Sequence, residues 1–222
     1  MLTRYSEFFA AALCHDWKES KDAVVRLEEE DPGLLQVFAS FLYRRRIYTR
    51  PKSSQANKAP HGTTRGTKVD ALVEVGKSPN DTIDDPEWDQ LIECWMLGDR
   101  LMSQAFQDAS IDAMVEKISE TGNIPMHLHL RAYATNTRSD ALKRLAVDIA
   151  AFQHKPADIR ETAEESPGAW QFLHDLAVRQ SDRLQSRASP DWRNGPWETE
   201  PCRYHEHVRG ECYRLEFWGG DG

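Results

Sequence analysis

The chain has 222 residues, with 28 Lys+Arg against 36 Asp+Glu and a formal net charge of −8 at pH 7. That length suits one ordinary domain with extra helices, or two small ones, and 40% apolar residues supply a packed core. The acidic balance excludes a general nucleic-acid binder and gives no attraction to anionic membranes.

The N-terminal residues Met1-Leu2-Thr3-Arg4-Tyr5-Ser6 lack the long apolar stretch of a signal peptide. No apolar run nears the roughly 20 residues of a spanning helix. A cytoplasmic or nuclear location is therefore expected, with no membrane partner. Tyr5 to Leu13 has helical character, because Phe8, Phe9, Ala12 and Leu13 recur at helical spacing. After a polar stretch from His15 to Ala23, Val24-Val25-Arg26-Leu27 reads as a short β-branched strand. Asp31-Pro32 opens a helix, as cap and first helical position. Leu34, Leu35, Phe38, Phe41 and Leu42 give it one apolar face, and Arg44-Arg45-Arg46 suits the negative end of its dipole.

From about Arg50 to Asp81 large apolar residues become scarce, and the stretch reads as a flexible insertion, with Val69 to Val75 as a brief strand candidate. Order returns at Asp84-Asp85-Pro86. Trp88, Leu91, Ile92, Trp95 and Met96 mark an amphipathic helix running to about Met102. A second helix runs from Gln104 to Ser119, with Phe106, Ile111, Met114, Val115 and Ile118 inward and Gly122 as its stop. A third spans about Ser139 to Gln153, with Leu142, Leu145, Ile149 and Phe152 on one side. A fourth begins at Ser166-Pro167 and carries Trp170, Leu173, Leu176 and Leu184. After Ser189 the chain turns Pro-, Gly- and Trp-rich and loses periodicity.

Cys14 and Cys94 lie in apolar helical contexts and are expected as buried small hydrophobes. His127 and His129 sit in an alternating Met-His-Leu-His-Leu run, expected as a short extended segment of exposed or satisfied histidines. Cys202, His205, His207 and Cys212 form the one cluster with metal-ligand chemistry. Two thiolates and two imidazoles suit a tetrahedral structural zinc, and Gly210 lets the chain turn. The plainer reading is a surface tail with incidental Cys and His, since structural zinc sites usually pair ligands from two separated loops and these four lie within one short stretch. No cofactor is expected apart from this candidate zinc. A Gly-rich phosphate loop, a G-x-S-x-G turn, an H-E-x-x-H helix and a dinucleotide fingerprint are all absent, and the carboxylates form no matched pair, so no enzyme is expected.

Leu2 to Thr49 resembles the middle of a BTB/POZ domain. The matching residues are Ser6-Glu7-Phe8-Phe9, Trp17-Lys18-Glu19-Ser20, the Val24 to Leu27 strand, the acidic turn Glu28 to Pro32, Phe41-Leu42-Tyr43, and Ile47-Tyr48-Thr49. Gly98-Asp99-Arg100-Leu101 is similar to the family's next helix, and Ile111 to Ile118 to its last. Asp99, Phe106 and Asp108 resemble the large fungal-type group. The resemblance implies an α+β fold, predominantly α-helical in content, that lacks the family's N-terminal strands and first helix. It implies a BTB/POZ core over about 1–120 with the insertion at about 50–82; the helical periodicity that follows reads as a helical extension over 123–188, and its loss as an irregular tail over 189–222. It also implies a protein–protein interaction module that acts as substrate adaptor for a cullin-based ubiquitin ligase, or as an oligomerisation scaffold with no ligase. A zinc-stabilised helical domain of unknown activity is a further alternative. Partners would be other proteins, a cullin scaffold or a second copy, with no nucleic acid. Trp17, Lys18 and Glu19 match the hydrophobic-x-Glu pattern that such proteins place against a cullin.

Overall fold

A computed structural model describes residues 2–14, 17–49, 85–122, 128–134, 137–155, 157, 159–160, 168–185, 195–200, 202–207 and 212–215. The expected insertion with its Val69 to Val75 strand, His127, the Ser166-Pro167 helix start and Gly210 lie outside them. All regular structure among the described residues is helical. No helix among them is long and apolar enough to cross a membrane.

The single helix expected near the N-terminus is two, α1 (Leu2–Tyr5) and α2 (Glu7–Cys14). Ser6 divides them because its hydroxyl is committed elsewhere. It donates to the Leu101 carbonyl at 2.5 Å and accepts from the Phe9 amide at 3.2 Å. This caps α2 and ties it to a segment 95 residues away. Helix α3 (Lys18–Asp22) follows, then α4 (Pro32–Arg44). As expected, Asp31 caps α4 by accepting from the Gly33 amide at 2.5 Å, and Pro32 opens it.

Helices α5 (Pro86–Arg100) and α6 (Gln104–Thr121) form a tight hairpin. Gly98 makes it possible: a Cβ there would lie 2.6 Å from Gln107 Cγ and 3.2 Å from the Gln107 backbone nitrogen. Gly122 ends α6 at φ +62°, with its amide donating to the Ile118 carbonyl at 2.8 Å. Phe38 and Phe41 of α4 meet Phe106 of α6 at ring separations of 5.0 and 5.2 Å. Trp88, Leu91, Ile92 and Trp95 of α5 complete this core.

The chain continues through α7 (Leu128–Ala134), α8 (Ala141–Gln153) and α9 (Ala169–Gln185), then the short α10 (Pro196–Thr199). Leu128 and Ala132 of α7, with Leu142, Leu145 and Ile149 of α8, join the same core as α4 to α6. A smaller cluster, Val147, Ala150 and Ala151 against Phe172 and Leu176, fastens α9 to α8.

Several expectations are corrected. The fold is not α+β among the described residues, although the predominance of helix is as expected. Val24 to Leu27 is not a strand. Val25 and Leu27 pack on the core while Val24 and Arg26 face water, so the alternation is satisfied by packing alone. A strand also needs a neighbour to share its ladder, and none lies among the described residues. On α9 the buried positions are Ala169, Phe172 and Leu176, whereas Trp170 is 76% exposed and Leu184 is 87% exposed. The helical phase thus places Trp170, Val178 and Leu184 outward. Cys14 is exposed and Cys94 buried. His129 lies in helix α7 rather than in an extended segment, and its ring stacks on Phe172 at 4.5 Å.

Candidate functional site

Two places carry chemistry beyond packing. The first is the turn into α3. Trp17 takes the N-cap position with extended backbone (φ −81°, ψ 165°), and its carbonyl accepts from the Lys21 amide at 3.2 Å. The Ser20 hydroxyl donates to the Leu13 carbonyl at 2.9 Å and closes the turn back on α2. This geometry leaves Trp17 62% exposed. Lys18 is exposed and Glu19 half-buried beside it. Trp17 therefore does not serve as a cover for the local core.

The second place is the described part of the tail, 195–200, 202–207 and 212–215, which is anchored to α6 and α8. In α10, Trp197 is buried and meets Phe152 edge-on at 6.0 Å. Tyr204 is buried, and its hydroxyl donates to Asp148 Oδ2 at 2.9 Å. The Arg203 Nε donates to the same oxygen at 2.9 Å, and Arg179 donates to the other. Asp148 stands in an apolar run of α8, where an ionised carboxylate is tolerated only when paired and hydrogen-bonded. These three donors meet that need.

On α6, Gln104, Asp108 and Asp112 are spaced one turn apart and face the tail. Asp108 accepts from Gln104 Nε2 at 2.9 Å and from the Glu206 backbone amide at 3.2 Å. Burial pushes the Asp108 carboxyl above its usual range, against the pull of His205, Gln104, Glu206 and His207. Asp112 accepts from the Tyr213 hydroxyl, from Arg214 Nε at 2.7 Å, and lies 2.8 Å from His205 Nε2. Burial, with the Asp112 charge, raises the Tyr213 phenol.

These anchors bring the four expected ligand residues together. The ligand atoms of Cys202, His205, His207 and Cys212 all lie within 4.8 Å of one another. The His205 side chain is fully buried, and its Nδ1 lies 3.6 Å from Cys212 Sγ. The rings of His205 and His207 are 5.4 Å apart. Cys202 to His207 is a run of turn and bend rather than a regular element, and it holds both rings at the cluster. Burial pushes the Cys212 thiol up to about 11; the backbone hydrogen bond at Arg214 works against that shift, and neighbouring Cys202 adds to it.

The basic end of α4 is a helix terminus, as expected. Arg45 takes the left-handed C-cap at φ 54° and lies 3.5 Å from the Tyr5 ring centroid, while Arg46 pairs with Glu116.

Sequence reasoning missed Asp108, Asp112 and Asp148, though a signal was present. Asp148 is an acid inside an apolar run, and Asp108 and Asp112 are acids interleaved with Phe106, Ile111 and Met114 of a helix; an acid so placed needs a partner when buried. Comparison of the chain with protein families, with curated proteins and with solved structures finds no match.

Proposed function

We propose that the chain is a protein–protein interaction module of BTB/POZ character that docks a cullin scaffold and presents a target to the ligase. The observation that carries this reading is Trp17, a large aromatic held 62% exposed on a capped turn beside Lys18 and Glu19. An exposed tryptophan with a neighbouring carboxylate is the composition of an interface anchor: the ring fills a pocket and the charge fixes orientation. The order of elements lends support. Two short helices flank the Trp17 turn, and α4, α5 and α6 follow as a packed body, without the strand that the sequence resemblance implies before α4.

The test is capture of the full chain by purified cullin N-terminal domains. Trp17→Ala is expected to lose capture with an unchanged circular dichroism spectrum. No capture of the wild type, or capture equal in the variant, overturns the docking reading. A stable dimer without cullin capture favours the scaffold alternative.

A further inference from the structure

We propose that Cys202, His205, His207 and Cys212 bind one structural zinc ion that closes the C-terminal tail onto α6. The inference rests on the tail and its contacts with α6 and does not depend on the docking reading.

The donor set comes first. Two cysteines and two histidines form a borderline-soft S₂N₂ set, which suits zinc in tetrahedral geometry. With both cysteines as thiolates, the two negative charges cancel the charge of Zn²⁺. A neutral centre suits a position where two of the ligands, His205 and Cys212, are buried.

The distances follow. Zinc–sulfur bonds of about 2.3 Å and zinc–nitrogen bonds of about 2.0–2.1 Å give a tetrahedron whose S···N edges are about 3.6 Å. Cys212 Sγ and His205 Nδ1 are 3.6 Å apart. The full set lies within 4.8 Å, so the remaining adjustment is one that thiol and imidazole rotations supply.

The third observation lies outside the four ligands. Metal-bound histidine characteristically gives its second ring nitrogen to a carboxylate, which fixes tautomer and ring orientation. His205 is built this way. Nε2 faces Asp112 Oδ1 at 2.8 Å, which leaves the Nδ1 lone pair directed at the cluster. Asp112 is itself held by Tyr213 and Arg214, which directly follow Cys212 in sequence. One carboxylate on α6 therefore orients a ligand from each end of the tail. Four protein ligands leave no open coordination position, so the ion is structural rather than catalytic.

The experiment uses the full chain purified without chelator. One zinc per chain is expected by elemental analysis, retained through mild chelation and released by a thiol-specific mercurial. In the Cys202→Ser and His207→Ala variants, which change the two less buried ligands, zinc retention is expected to fall. Backbone amides of residues 202–207 and 212–215 are then expected to exchange about tenfold faster or more, with α5 and α6 still protected. Stripping the wild type with a strong chelator and restoring one equivalent of zinc is expected to return that protection, so the test does not rest on substitutions alone. A metal-free chain with a fully protected tail, a Cys202–Cys212 disulfide in place of metal, or zinc content unchanged by both substitutions overturns the assignment.

Discussion

His205 Nε2 lies 2.8 Å from Asp112 Oδ1 across 93 residues of chain. The contact joins the tail to the middle of α6, and the same carboxylate takes hydrogen bonds from Tyr213 and Arg214. Removing it leaves a buried imidazole and a largely buried phenol without their acceptor. Asp112→Ala is expected to lower unfolding free energy by about 2–4 kcal/mol, the range for leaving buried hydrogen-bonding groups unpaired. Asp112→Asn keeps an acceptor oxygen and is expected to cost less. Urea denaturation of both variants checks this order, and an Asp112→Ala midpoint equal to wild type contradicts it.

Asp148 plays the corresponding part on α8, where it receives Arg179, Arg203 and Tyr204. The two arginines are 21% and 28% exposed and can turn to water, but the Tyr204 hydroxyl cannot. Asp148→Ala is expected to cost about 2–4 kcal/mol. Tyr204→Phe removes the buried donor and keeps the ring, so the double variant Asp148→Ala/Tyr204→Phe is expected to recover part of the loss. A double-mutant cycle measures the coupling, and strict additivity contradicts the account.

Ser6 holds α2 by capping it and holds α5 through the Leu101 carbonyl. Ser6→Ala is expected to cost about 1–2 kcal/mol, with amide exchange rising first in α1 and α2. Unchanged exchange in α2 contradicts the capping role.

Gly98 sits against Gln107 with no room for a methyl group. Gly98→Ala forces the α5–α6 hairpin apart and is expected to cost about 1–3 kcal/mol despite the higher helix propensity of alanine. A thermal midpoint that rises in this variant contradicts the close approach.

The pH response centres on Lys117 of α6, which pairs with Asp85 at 2.8 Å and with Glu87. Burial alone would raise the Glu87 carboxyl, but the hydrogen bonds of Lys117 and Thr49 and the Lys117 charge hold it below its usual value. Folded Glu87 therefore binds a proton less readily than unfolded Glu87. Its contribution to stability is complete above the unfolded value and disappears as pH falls through the lower folded one. Burial alone would lower Lys117, but Asp85 and Glu87 raise it, so its contribution is lost only as pH rises through the raised lysine value. Asp108, raised by burial, acts with the opposite sign to Glu87 and offsets part of the acid loss. Urea midpoints measured from about pH 7 down to about pH 3 are expected to fall less steeply for Glu87→Gln than for wild type. Parallel curves contradict the assignment.

The helices were legible wherever periodicity, a cap and a stop agreed. Asp31-Pro32 and Asp85-Pro86 open α4 and α5, and Gly122 closes α6, each where its chemistry requires. The strand at Val24 to Leu27 was misread because alternation reports which residues face a core, not whether a neighbouring strand exists. Of the four apolar residues expected on α9, Leu173 and Leu176 pack toward α8 beside Phe172, while Trp170 and Leu184 are exposed, because spacing alone does not say which stripe of the helix meets a neighbour. At the tail, residue types and spacing identified all four clustered side chains. They did not reveal that Asp108, Asp112 and Asp148 would anchor the segment. Those contacts join residues 55 to 102 positions apart, beyond the reach of any local pattern.

The zinc-closed tail is tested most directly by replacing zinc with cobalt(II), whose visible spectrum reports coordination geometry and ligand type. The wild-type chain is expected to give the intense ligand-field bands of a tetrahedral site together with thiolate-to-cobalt charge transfer, saturating at one equivalent and lost on adding zinc. A weak octahedral spectrum without charge-transfer bands would mean that the four side chains lie together without binding a metal, and that the contacts of Asp108, Asp112, Asp148 and Trp197 hold the tail without it.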